Sequence, residues 1–187
     1  MSFRGIRWRI VIPLVALIII TTGAVTLYVL SIVRQAHLDS LEASLTSQAN
    51  LVADAMVPLL SASSGEVQAS VAHYGRLLNA RVTVVAPTGL VLGDTAEDPA
   101  EMDNHLSRPE VQGALSTCRG MAMRYSDTLG YEMMYVAVPV RGRDEGDIIG
   151  VVRVALPLSD VRAAVARVRG AIVTGALVAT LLAAGLA

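Results

Sequence analysis

The chain has 187 residues, of which 53% are hydrophobic and 17% charged, a charge content well below that of an ordinary soluble domain. The apolar excess lies in two uncharged runs, Ile10–Val33 and Ala171–Ala187, and the segment between them holds all 16 acidic residues and 12 of the 15 arginines. That middle segment is net acidic at −4, which excludes nucleic acid as a partner, and its share of Val, Leu, Ala and Met excludes disorder.

Residues 1–9 form a short stub with Arg4, Arg7 and Arg9. Ile10–Val33 follows, and at 1.5 Å per residue it makes a helix of about 36 Å, enough to cross a hydrocarbon core of about 30 Å with some tilt. Three arginines before the span and Trp8 at headgroup depth place the N-terminus in the cytoplasm by the positive-inside rule. A cleaved signal peptide is the competing reading. Its apolar stretch would end near Thr22–Gly23–Ala24, whereas here Val25–Leu30 continues the span, which favours an uncleaved anchor. Ala171–Ala187 reads as a second span cut off by the end of the sequence. Arg162, Arg167 and Arg169 flank it on the side assigned to the exterior, a bias that weakens for a loop this long.

Residues 34–170 are therefore expected outside the cytoplasm. Leu38, Leu41, Leu45, Ala49, Val52, Met56 and Leu59 recur every three or four residues, which predicts one long helix over 34–60 continuing out of the membrane. Such a stripe is also suited to pairing with its twin in a homodimer. Glu66–Asn79 predicts a second helix, and Arg81–Ala86, Pro87–Thr88–Gly89 and Leu90–Gly93 a strand, a turn and a strand. Asp94–Asn104 is expected as an acidic loop. Ser107 and Glu110 have the spacing of a capping box, with Pro109 between them, and so predict a short helix. Gly120–Thr128 and Tyr131–Val140 form a hairpin about Leu129–Gly130, Asp147–Leu156 a last strand, and Ser159 caps an exit helix over 159–170. The sheet core thus covers 81–157.

A two-residue turn at Leu129–Gly130 pairs Arg124 with Tyr135 and Ser126 with Met133. One face of this hairpin then carries Arg124, Ser126, Tyr131 and Tyr135, and the other Met121, Met123, Tyr125, Met134, Val136 and Val138. The first face has two readings: a site for a small anionic ligand, with the guanidinium fork as donor, or a solvated face on which Arg124 lies over Tyr135. Asp94, Glu97, Asp98, Glu101 and Asp103 lack the spacing of a calcium loop and read as a solvated acidic segment. Met121, Met123, Met133 and Met134 read as packing rather than as soft-metal ligands, since no His accompanies them. His37, His73 and His105 are isolated, and no nucleophile–base pair, phosphate loop or metal-ligand spacing occurs. The single cysteine, Cys118, makes no internal disulfide.

The layout of helices, two strands, a short helix, three strands and an exit helix between two spans resembles the PAS-like (Cache or PDC) extracytoplasmic sensor domains, an α+β fold with a five-stranded antiparallel sheet. Val82–Asp94 resembles the strand–turn–strand motif of that family, with Ala86 or Pro87 where an Asp often precedes the turn. Asn104–Val111, Arg124–Gly130 and Tyr135–Pro139 resemble the sensor region of phosphate-regulon-type two-component sensor histidine kinases. The resemblance covers 81–169 and implies a multi-pass membrane receptor that passes an extracytoplasmic stimulus to a cytoplasmic output domain and thence to a response regulator. ATP and Mg²⁺ would belong to that output domain, and no cofactor or metal to these residues. The same input domain also serves chemoreceptors and diguanylate cyclases, which remain the alternative.

Overall fold

The computed structural model describes residues 4–61, 66–126, 130–142, 147–158, 170 and 173–175. Three helices, α1 (Arg4–Ser61), α2 (Val67–Leu78) and α3 (Pro109–Thr117), accompany five strands: β1 (Arg81–Val85), β2 (Val91–Asp94), β3 (Gly120–Ser126), β4 (Tyr131–Arg141) and β5 (Ile148–Pro157). The elements predicted between residues 34 and 157 are present with ends shifted by one or two residues, and the first span and the long helix form a single helix that begins at Arg4. The exit helix and the second span fall outside the described residues, apart from a few isolated positions.

The chain divides into two compact units. In the first, the described residues are essentially the N-terminal part of α1, whose Leu17, Ile20 and Leu27 are exposed. Among the described residues this is the one helix long and apolar enough to cross a membrane. The second unit, Asp39–Ser159, is the α+β domain.

Its sheet is antiparallel in the order β2-β1-β5-β4-β3, so the last strand to be made lies at the centre, between the first and the fourth. Strand alternation then sorts the side chains onto two faces. Val82 and Val84, Val136 and Val138, and Val152 and Val154 share one face and are buried. α3 closes part of the other face through Val111 and Ala114 against Val85, Ala137 and Val151. The first face is thereby left for the buried stripes of α1 (Leu45, Ala49, Val52, Met56) and of α2 (Val67, Val71), the latter lying on β1 and β2. The middle of the α1 stripe is thus buried within its own chain, while Leu38, Leu41 and Leu59 at its ends are half-buried.

Two glycines allow α3 to come close. A Cβ on Gly120 would fall on the Glu110 carbonyl oxygen, and one on Gly113 would lie 2.6 Å from the Gly120 Cα. The contact sets the height at which the first turn of α3 stands over β5.

Candidate functional site

The face that α3 leaves uncovered is polar, and its charges come from alternate positions of otherwise apolar strands. Arg153 is the one charged residue within β5, and it is 2% exposed. Its neighbours across the sheet are Thr83 on β1 and Ala137 on β4, and Thr83 in turn pairs with Asp94 on β2. Arg153 donates through Nη2 and Nε to the Thr83 hydroxyl (2.9 and 3.3 Å) and through Nη1 to Glu110 Oε1 (3.3 Å).

Asp94 is the second node. Arg81 Nε lies 3.1 Å from both of its carboxylate oxygens, the Thr83 hydroxyl donates to Oδ2 at 2.6 Å, and the backbone N–H groups of Ala96 and Glu97 donate to Oδ1. The buried carboxylate is thus supplied with donors on both oxygens. The expectation of a wholly solvated acidic loop therefore fails at Asp94, which ends β2 instead. Glu97 remains half-buried beside Arg81 at 3.7 Å, and Glu101 is exposed.

The third node is Glu110, which is fully buried. The capping-box expectation is corrected here. Arg108 is the N-cap and makes no side-chain cap, and Glu110 turns inward to Arg153 and Arg124 instead of back to its own helix. Two unsatisfied guanidinium groups attract this carboxylate more strongly than a backbone N–H that water can reach. Arg124 Nη2 meets Glu110 Oε1 at 3.3 Å, and its guanidinium lies 4.3 Å from the Tyr135 ring centroid, with that of Arg153 at 5.0 Å. Arg124 Nε and Glu110 Oε2 have no hydrogen-bond partner among the described residues.

The β3–β4 register differs from the expected one. Arg124 pairs with Met133 and Ser126 with Tyr131, because four residues rather than two join the strands, with the Gly130 N–H donating to the Ser126 carbonyl. The slip is two residues. Side chains repeat every two, so Arg124, Ser126, Tyr131 and Tyr135 stay on one face. Met134, Val136 and Val138 of the other face are buried, whereas Met121, Met123 and Tyr125 are exposed, since β3 is the sheet edge.

Arg124, Ser126 and Tyr135 line a cavity of about 290 Å³, joined there by Arg81, Arg108, Arg153 and His105, with Glu97, Glu101 and Asp103 toward its loop side. Tyr131 lines a neighbouring cavity of about 520 Å³ instead. Arg108 makes no ion pair among the described residues. His105, expected at the surface or partly packed, is 4% exposed, with Nδ1 2.8 Å from the Asp103 carbonyl oxygen. Burial first, and then the Arg153 charge, hold its imidazole below the ordinary value of 6.5. Burial also lowers the Arg153 guanidinium, which the Glu110 carboxylate opposes.

Six residues of this site, Arg81, Asp94, His105, Arg108, Glu110 and Arg153, are missed by sequence reasoning. The signal for Arg153 was present: a lone charge inside Ile148–Pro157, a strand otherwise apolar, has to be paired or functional. Glu110 was hidden by a capping pattern that explained it too well. No three acidic, His or Cys side chains gather as a metal site among the described residues.

Comparison with protein-family models gives no match, and neither does comparison with curated protein sequences. Solved structures do match. The sensor domain of the V. cholerae histidine kinase DctB aligns at a TM-score of 0.57 and 18% identity, over 73% of this chain and 55% of that one. The fold is that of a PAS-like sensor domain. The ligand-binding domain of the Campylobacter jejuni chemoreceptor Tlp3, in complex with 4-methylisoleucine, aligns at 0.55 and 17% identity, over 76% and 61%. The E. coli DcuS sensor domain aligns at 0.52 and 16%, over 71% and 96%. The chain thus spans little more than half of the DctB sensor domain.

Proposed function

We propose that the chain is the input part of a transmembrane signalling receptor, a two-component sensor histidine kinase, with residues 34–170 outside the cytoplasm and a small anionic ligand held in the 290 Å³ cavity. The observation that carries the reading is the cavity itself. Four arginines reach it, and of these Arg81 and Arg153 are already matched by Asp94 and Glu110. Arg108 and the Nε of Arg124 are left to meet a guest. Planar guanidinium groups suit a carboxylate or a phosphate. The Tlp3 domain supports a small-molecule guest, since its complex holds 4-methylisoleucine. The phosphate-regulon type is the narrower form of this proposal and rests on the sequence resemblance alone.

The test is ligand-induced thermal stabilisation of the full chain in nanodiscs against small carboxylates and phosphates, beside Arg124→Ala. A shift in the parent that the variant loses supports the site. A shift that the variant keeps moves the ligand elsewhere. Topology is checked at the exposed Cys118. A membrane-impermeant thiol reagent labels it in whole cells if the domain is extracytoplasmic, with Cys118→Ser as control, and labelling only after lysis reverses the assignment.

A chemoreceptor is the second reading, favoured by the Tlp3 likeness. Autophosphorylation of the full-length protein with ATP and Mg²⁺ selects the kinase. Pairing with a second copy through α1 uses a side other than the buried stripe, such as that of the exposed Leu51. Leu51→Cys then crosslinks between chains and Leu45→Cys does not.

A further inference from the structure

We propose that the cavity takes its anion together with a proton, received by His105, so that the domain reads an anion and acidity as one signal. The inference rests on the ligand-binding reading above and adds the regulation of that site.

His105 is well placed for the role. It lines the cavity, in the connection between β2 and α3, and is almost wholly buried. The Asp103 carbonyl 2.8 Å from Nδ1 is only an acceptor, so Nδ1 carries the hydrogen and Nε2 is the nitrogen that takes a second proton. Two cations act against that proton, Arg153 from β5 and Arg108 at the start of α3. In its favour stand the Asp103 carbonyl and the Glu110 carboxylate of α3.

The remaining charged groups are further partners of the same cavity. Arg81 of β1 is held by Asp94 of β2 and by Glu97, while Arg124 of β3 lies over Tyr135 of β4. Glu101 and the Asp103 carboxylate line the loop side. Among the protein's own groups the balance at His105 is set against protonation by burial and by the two arginines. An anion engaging Arg108 and Arg124 offsets the positive field that repels the proton and leaves the favourable carbonyl and Glu110 in place. Ligand binding and protonation therefore assist each other by linkage, each strengthening the other by the same factor.

The test uses sulfate as probe, because it keeps its charge across the range in which histidine titrates, and the full chain in nanodiscs. Calorimetry in two buffers of different ionisation enthalpy counts the protons taken up per sulfate bound. Uptake approaching one proton is expected between the ligand-free value, held below 6.5, and the higher value the imidazole takes beside the anion, with affinity rising toward tenfold per pH unit as pH falls through that window. His105→Gln and His105→Asn should each bind sulfate with no uptake and a flat pH profile. The parent measurement needs no variant to fold. Sulfate binding without proton uptake overturns the coupling and leaves the ligand site standing. Uptake that persists in both variants overturns the assignment to His105. No sulfate binding at any pH overturns the coupling and the anion site together.

Discussion

The two faces of the sheet are built from the same strands and behave in opposite ways. On one, Val82, Val84, Val136, Val138, Val152 and Val154 meet the stripes of α1 and α2, and each side chain is replaceable by another of similar volume. On the other, Arg81, Arg153, Asp94 and Glu110 are just as deeply buried, but each is held by a particular partner at a particular distance. The difference teaches where function is placed on such a fold. Apolar packing tolerates exchange and fixes the frame. A buried charge network tolerates little, and its outer members, Arg108 and Arg124, remain open to a guest.

The contrast is broken most severely at Arg153. Arg153→Met leaves the Glu110 carboxylate buried without its main partner, and about 3–5 kcal/mol of stability should be lost. Combining it with Glu110→Gln should recover much of that loss, because the stranded charge is then gone. Chemical unfolding of parent, single and double variants decides it, and a double variant no more stable than the single one would contradict the pairing. On the apolar face, Met56→Ala removes a fully buried side chain from α1 and should cost about 2–5 kcal/mol while leaving ligand affinity unchanged. If affinity falls with it, the two faces are not independent.

A smaller effect is expected where the faces meet α3. Gly120→Ala puts a methyl group on the Glu110 carbonyl and should cost about 1–3 kcal/mol by pushing the helix away. Since Glu110 moves with the helix, ligand binding should weaken alongside stability, which Met56→Ala does not do. Arg124→Lys keeps the charge, loses the fork and is half-exposed, so stability should hardly change. The stabilisation by a ligand at about 100 times its dissociation constant, roughly 2.7 kcal/mol in the parent, should fall measurably.

The same contrast explains what was legible in the sequence. The apolar face, the long helix and the order of elements follow from periods of two and of three to four, which are local properties of the chain. Even the mistaken turn at Leu129–Gly130 did no harm to the face assignment, because an error of two residues preserves alternation. The polar network was not legible because it is made of pairs 11 to 70 residues apart, such as Thr83 with Asp94 and Arg153 with Thr83. No local pattern announces such partners. Only the central position of β5 brings Arg153 between β1 and α3, and that position is a property of the folded sheet.

The smallest expected effect concerns pH in the absence of ligand. His105 has its folded-state value held below 6.5, first by burial and then by Arg153, whereas in the unfolded chain it titrates at the ordinary value. Between those two values the unfolded state binds more protons than the folded one. Stability from this residue is therefore fully present above pH 6.5 and declines as pH falls toward the folded-state value, below which it changes no further. Carboxylates in general titrate at more acidic pH than imidazoles, so the histidine contribution can be read apart from theirs. Thermal unfolding of the parent and of His105→Gln, followed in half-unit steps downward from neutrality, separates the two. The parent curve should slope just below pH 6.5 where the variant is flat, and the two should run parallel once the carboxylates titrate. Equal slopes throughout would mean that the imidazole pays nothing for its place beside Arg153, and that the polar face is wetter than its burial implies.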